Sequence, residues 1–124
     1  MRRKVLIAED EPNIVASLEF LLAHAGYEVR VARTGDEALR LAEALVPDLL
    51  LLDVMMPGHD GFEVCRRVRG ARALAGVKIV MLTARGLEEE RRIGLALGAN
   101  AYVTKPFSTK ELLATVGGLL PSPG

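Results

Sequence analysis

Four places in this chain carry groups that could do chemistry together: the acids Glu9-Asp10-Glu11, then Asp53, the hydroxyl of Thr83 and the ammonium of Lys105. Brought into one crevice, the carboxylates repel; at about 4 Å and an effective dielectric near 20, each pair costs about 4 kcal/mol. Such a cluster requires a cation. Oxygen-only ligands, with no clustered His or Cys, point to a hard ion, Mg²⁺, that keeps several waters. A carboxylate nucleophile, a hard dication, a lysine and a hydroxyl are together what a phosphoryl group needs. The metal and the ammonium neutralise its equatorial oxygens, the hydroxyl donates a hydrogen bond, and the carboxylate attacks in line.

The elements before these groups must deliver them. Leu49-Leu50-Leu51-Leu52 is apolar without alternation, the pattern of a strand buried on both faces in a parallel sheet, and it ends at Asp53. Further strands are predicted at Lys4–Ala8, Glu28–Ala32, Lys78–Leu82 and Ala101–Val103. Helices are predicted at about Pro12–Ala25, Asp36–Leu45, Gly61–Arg69, Glu88–Leu97 and Thr109–Leu119. Strict alternation of five strand–helix units implies an α/β domain with a parallel sheet. Every reactive group then stands at the carboxyl end of a strand. A parallel sheet brings those ends to one edge, although the residues lie up to about a hundred positions apart.

Local signals agree with this division. Thr34 with Glu37 and Ser108 with Glu111 have the spacing of capping boxes, and Phe107 and Leu112 flank the second at staple positions. Pro12 suits a first helical turn, and Gly26 a helix C-cap. The fourth helix is the weakest, because Gly94 in its middle costs about 1 kcal/mol relative to alanine.

Composition narrows the class. The chain has 124 residues, enough for one domain burying roughly two-thirds of its unfolded surface. Sixteen basic and 16 acidic residues cancel, which argues against a basic nucleic-acid face. No apolar run approaches the roughly 20 residues that span a bilayer. One cysteine, Cys65, excludes an internal disulfide and fits a reducing cytosol, so a cytoplasmic protein is expected. Residues 121–124, Pro-Ser-Pro-Gly, read as a tail or the start of a linker after a domain over residues 1–120.

The pair Glu9-Asp10, the segment Asp53-Val54-Met55-Met56-Pro57-Gly58 with Asp60-Gly61, Thr83-Ala84, and Lys105-Pro106-Phe107 occur in order along essentially the whole chain. In this the sequence resembles the response-regulator receiver domain of two-component signalling, similar to the chemotaxis receiver. The resemblance implies a doubly wound, flavodoxin-like sheet in the order 2-1-3-4-5, with five helices. It implies that Asp53 accepts a phosphoryl group from the phosphohistidine of a sensor histidine kinase or phosphotransfer protein. Glu9, Asp10, Asp53 and the Met55 backbone carbonyl would hold Mg²⁺, Glu9 through water. Thr83 and Lys105 would grip the phosphoryl oxygens, and Tyr102 would be the aromatic switch. The Lys105–Pro106 peptide would be cis. The face of the fourth helix, fifth strand and fifth helix would bind an output partner. The domain would thus be a phosphoacceptor switch rather than an enzyme.

Plainer readings stand beside these. Taken alone, Asp53 and Thr83 are caps or turn residues and Lys105 is a solvated cation; their roles depend on the set. Tyr102 is equally an edge-strand aromatic. His59 reads as a loop residue, His24 as a partner of its helix dipole, Cys65 as a small helix residue, and Arg66, Arg67, Arg69 and Arg72 as a solvated face. Three other functions are weaker. A flavin carrier of the same topology needs a phosphate cradle where the acids Glu9-Asp10-Glu11 stand. An aspartyl-phosphate hydrolase usually has a second acid two residues after the nucleophile, here Met55. A phosphorylation-independent interaction module would not need Asp53, Thr83 and Lys105. Two departures from the family pattern and one feature beside the acceptor matter. The acidic pair Glu9-Asp10 stands in place of the commoner Asp-Asp, a substitution the family tolerates. Asn100, Ala101, Thr115 and Gly117 replace the charges through which many receivers dimerise. Met55 and Arg85, long side chains flanking the acceptor, would slow hydrolysis of its phosphate.

Overall fold

The computed structural model describes residues 2–56, 60–84 and 88–120. Strands β1 (Lys4–Ala8), β2 (Glu28–Ala32), β3 (Leu49–Asp53), β4 (Lys78–Thr83) and β5 (Ala101–Thr104) form one parallel sheet in the order β2-β1-β3-β4-β5. Helices α1 (Pro12–His24), α2 (Gly35–Leu45), α3 (Gly61–Gly70), α4 (Glu88–Ala96) and α5 (Thr109–Leu119) connect and follow them. The topology is the doubly wound arrangement that the sequence implied. Element ends differ by a residue, the largest consequence being that Asp53 and Thr83 belong to their strands. A 3₁₀ turn over Arg72–Leu74 had no sequence signal.

The four leucines of β3 are fully buried because both faces of the sheet are covered. Leu50 and Leu52 pack with Leu6, Ile79 and Met81 against α2 and α3 through Ala38, Ala42, Val64 and Val68. Leu49 and Leu51 pack with Val5, Ile7, Val80 and Leu82 against α1 and α5 through Leu18, Leu22, Leu112 and Val116. The two-residue period of a strand thus assigns odd and even side chains to separate cores.

The helix ends carry their expected stops. Thr34 and Ser108 accept from the N–H groups of Glu37 and Glu111 at 3.1 and 3.0 Å. The Glu37 carboxylate reaches one residue further back than a capping box requires, to the Arg33 N–H at 2.7 Å. Gly26 adopts φ 101° after α1; its N–H and that of Tyr27 bond the carbonyls of Ala23 and Leu22, the Schellman pattern. Val46 ends α2 with φ 44°, an unfavourable conformation for a β-branched residue.

Gly94 plays a different part from the weak point the sequence suggested. A Cβ there would lie 3.0 Å from the Met81 Sδ and 3.5 Å from the Tyr102 ring, so the missing side chain lets α4 approach the sheet closely.

Candidate functional site

Register determines which side chains can meet. Ala8 pairs with Leu52, so Glu9 and Asp53 come next on neighbouring strands; Thr83 pairs with Thr104, so Lys105 follows. Backbone bonds extend the ladder past the strands: Glu9 N–H to the Ala32 carbonyl, Val54 N–H to Leu82, and Lys105 N–H to Thr83, at 3.0, 2.9 and 2.6 Å. By the two-residue period, Glu9, Asp53 and Lys105 continue the rows Val5/Ile7, Leu49/Leu51 and Ala101/Val103 that face α1 and α5. Thr83 continues the opposite row, Ile79/Met81, and Tyr102 packs against that same core.

On the first side the Lys105 Nζ lies 2.7 Å from Glu9 Oε1 and 3.4 Å from Asp53 Oδ1. Glu9 is wholly buried, and its Oε2 accepts from the N–H groups of Asp10 and Glu11, both at 3.1 Å. Asp53 is 4% exposed, and its Oδ1 accepts from the Met55 N–H at 3.3 Å. Asp10 is exposed at the mouth. One carboxylate oxygen from each of Glu9, Asp10 and Asp53 lies within 4.8 Å of the others. Burial and the Glu9 charge push the Asp53 carboxyl from 3.8 up to about 6, against the pull of Lys105 and the Met55 N–H. Burial disfavours the Lys105 ammonium, yet its bond to Glu9 and the charges of Asp53 and Glu9 together push its pKa up. Three carboxylates converge with one ammonium, an oxygen-only set with excess negative charge that suits a hard dication.

On the second side Thr83 is 2% exposed and its hydroxyl donates to Glu90 Oε1 at 3.2 Å. The Tyr102 hydroxyl donates to the same oxygen at 3.2 Å. Glu90, in the first turn of α4, was invisible to sequence reasoning because no local spacing links a residue on a helix to two different strand ends.

Gly61 closes the site from behind. Its N–H donates to the Val54 carbonyl at 2.8 Å, and a Cβ on it would lie 2.5 Å from the Asp53 carbonyl oxygen and 2.7 Å from the Val54 Cα. Asp60 caps α3, its Oδ1 accepting from the Glu63 N–H at 2.9 Å.

With this geometry in hand, the family model described as the response regulator receiver domain matches residues 5–117. This chain belongs to that family. The receiver is a phospho-accepting switch module of two-component signalling, and solved structures agree along its length. It is similar to a protein described as a response regulator from Chloroflexus aurantiacus, with 39% identity over 98% of this chain and 100% of the other, TM-score 0.93. The chemotaxis protein CheY4 of Vibrio cholerae matches at 36% identity over 97% of this chain and 100% of its own, TM-score 0.91. The receiver domain of a sensor histidine kinase from Pseudomonas aeruginosa, solved with magnesium coordinated in its active-site cleft, matches at 32% over 98% and 100%, TM-score 0.89.

The Lys105–Pro106 peptide is cis. Met55 extends beside the acceptor with 62% of its surface exposed, while Pro57, Gly58, His59, Arg85 and the tail 121–124 lie outside the described residues. Arg66 and Arg67 are solvated and hold Glu63, whose carboxyl their hydrogen bonds lower to about 2. Arg69 departs from the solvated face: its Nε donates to the Gly98 carbonyl and its Nη2 to Asn100 Oδ1, both at 2.9 Å. It thereby clamps α3 to the turn before β5. His24 stacks on the Phe20 ring, and Cys65 is buried, its thiol pushed up by that burial.

Proposed function

We propose that Asp53 is the residue phosphorylated in this receiver, with a sensor histidine kinase or phosphotransfer protein as donor. The observation that carries this reading is the sharing of Lys105 by two buried carboxylates, Glu9 and Asp53, with Asp10 at the mouth. Asp53 is the member whose oxygen faces both a cation and a backbone N–H, leaving its other oxygen to attack. An Asp53 oxygen bonds to phosphorus as the bond from phosphorus to the donor imidazole nitrogen breaks, and the imidazole departs with the electron pair. Lys105 neutralises one phosphoryl oxygen, and Thr83 donates its hydroxyl to another.

Glu9, Asp10 and Asp53 fit a hard dication by donor type and convergence, with the Met55 carbonyl as a further ligand and Glu9 acting through water. Bound Mg²⁺ supplies neutralisation of charge that develops on the phosphoryl oxygens. Tyr102 is the switch residue, reporting Thr83 to the surface. An output partner would bind the α4–β5–α5 face; Ile93 and Leu95, each 40% exposed, give α4 apolar surface on either flank of the inward-facing Gly94. The domain works as a switch rather than by turning over a separate substrate, without contacting nucleic acid or membrane, in the cytoplasm. Among the described residues no helix is long and apolar enough to cross a membrane.

The test is incubation with acetyl phosphate, with Mg²⁺ or with a chelator, followed by intact-mass measurement. A gain of one phosphoryl mass only with Mg²⁺ supports the reading; no gain from acetyl phosphate or any kinase contradicts it.

A further inference from the structure

We infer that Glu90 is a positioning residue that competes with the phosphoryl group for the Thr83 hydroxyl and so holds the unphosphorylated state. The inference rests on the reading of Asp53 as the acceptor and adds a residue to it. Thr83 and Tyr102 lie on neighbouring strands, and both hydroxyls converge on one oxygen, Glu90 Oε1, at 3.2 Å. An ionised carboxylate only accepts hydrogen bonds, and a hydroxyl has one proton to donate. A Thr83 proton directed at Glu90 is therefore not directed at a phosphoryl oxygen.

The placement of Glu90 follows from the packing of its helix. Gly94, one turn further along α4, lets the helix approach Met81 and the Tyr102 ring. The strand period then turns Thr83 toward α4, away from the side where Lys105, Glu9 and Asp53 meet. To serve a phosphoryl group on Asp53, the Thr83 hydroxyl must leave Glu90. Oε1 then loses the Thr83 donor, the first turn of α4 loses that tether to the end of β4, and Glu90 is left to the Tyr102 hydroxyl and its other contacts. Glu90 thus couples acceptor chemistry to the helix that carries Ile93 and Leu95.

The test uses beryllium fluoride with Mg²⁺ as the phosphoryl mimic on the full chain. The chain has two tyrosines and no tryptophan, so Tyr27→Phe leaves Tyr102 as the sole tyrosine emitter. A tyrosine hydroxyl bonded to a carboxylate emits weakly. In that background Glu90→Ala should brighten Tyr102 before any mimic is added. It should also tighten beryllium fluoride binding on the order of tenfold, as expected for removing a charge-assisted hydrogen bond that competes. Glu90→Gln, which keeps a weaker acceptor, should give a smaller gain. The gain should vanish in a Thr83→Ala background, and Mg²⁺ affinity should stay unchanged. Equal or weaker mimic binding in Glu90→Ala, or a gain that survives Thr83→Ala, overturns the inference while leaving the acceptor reading intact. Failure of the unsubstituted protein to bind the mimic at all overturns both.

Discussion

Asp53 is expensive to keep ionised without a cation, and this has a measurable sign. Its carboxyl sits at about 6 in the folded protein against 3.8 ordinarily, because of burial and the Glu9 charge. A raised folded-state value means the contribution to stability is full below the ordinary value and lost as pH rises through about 6. Under chelation, Asp53→Asn should therefore raise the melting temperature above pH 6, and the gain should disappear toward pH 4. Melting curves across that range check it; a gain that grows on acidification would contradict the assigned cause. The convergence of Glu9, Asp53 and Lys105 was legible only as a set: each alone reads as a cap, a turn residue or a solvated cation, whereas together they end strands of one parallel sheet. Glu90 and Arg69 were not legible. Their partners, Thr83 with Tyr102 and Gly98 with Asn100, are joined by tertiary packing that no helical or strand period encodes.

Elements position these residues through a few tight points. Gly61 lets α3 begin directly behind Asp53, where any Cβ meets backbone atoms that cannot swing aside. Gly61→Ala should destabilise the domain by about 1–3 kcal/mol, the range for overpacking, and weaken Mg²⁺ binding by displacing the Asp53 strand end. Urea unfolding and metal titration measure both, and a neutral result would show that α3 can shift freely. At the other end of the fold, Val46 is 49% exposed and strained at φ 44°. Val46→Gly should stabilise by about 1 kcal/mol, since glycine relieves the left-handed penalty and no core contact is lost; a loss of stability would mean that the Val46 side chain packs more than its exposure indicates. The strands and helices were readable from apolar runs and caps, because those signals are local. The 3₁₀ turn at Arg72–Leu74 was not, lacking any capping side chain. Gly94 was read by its helix propensity, whereas its tertiary contacts decide its role.

At the scale of the whole molecule, the alternation of elements and the buried β3 were enough to predict a parallel sheet, and the motif order supplied the strand order. What the sequence could not supply was the division of the site between two faces, which depends on register across strands. The same surface bears on assembly. Asn100 accepts from the Ile79 N–H and Arg69, the Thr115 hydroxyl donates to the Glu111 carbonyl at 2.9 Å, and Gly117 has no side chain. These positions of the α4–β5–α5 face thus lack the charges of that particular ion-paired dimer, and the beryllium fluoride form should sediment as a monomer; a dimer through this face would contradict that. The central claim is tested most directly by mass. With Mg²⁺ and acetyl phosphate the receiver should gain a single phosphoryl group and Asp53→Asn should gain none. An undiminished gain in Asp53→Asn would contradict the account, because phosphorylation would then occur elsewhere.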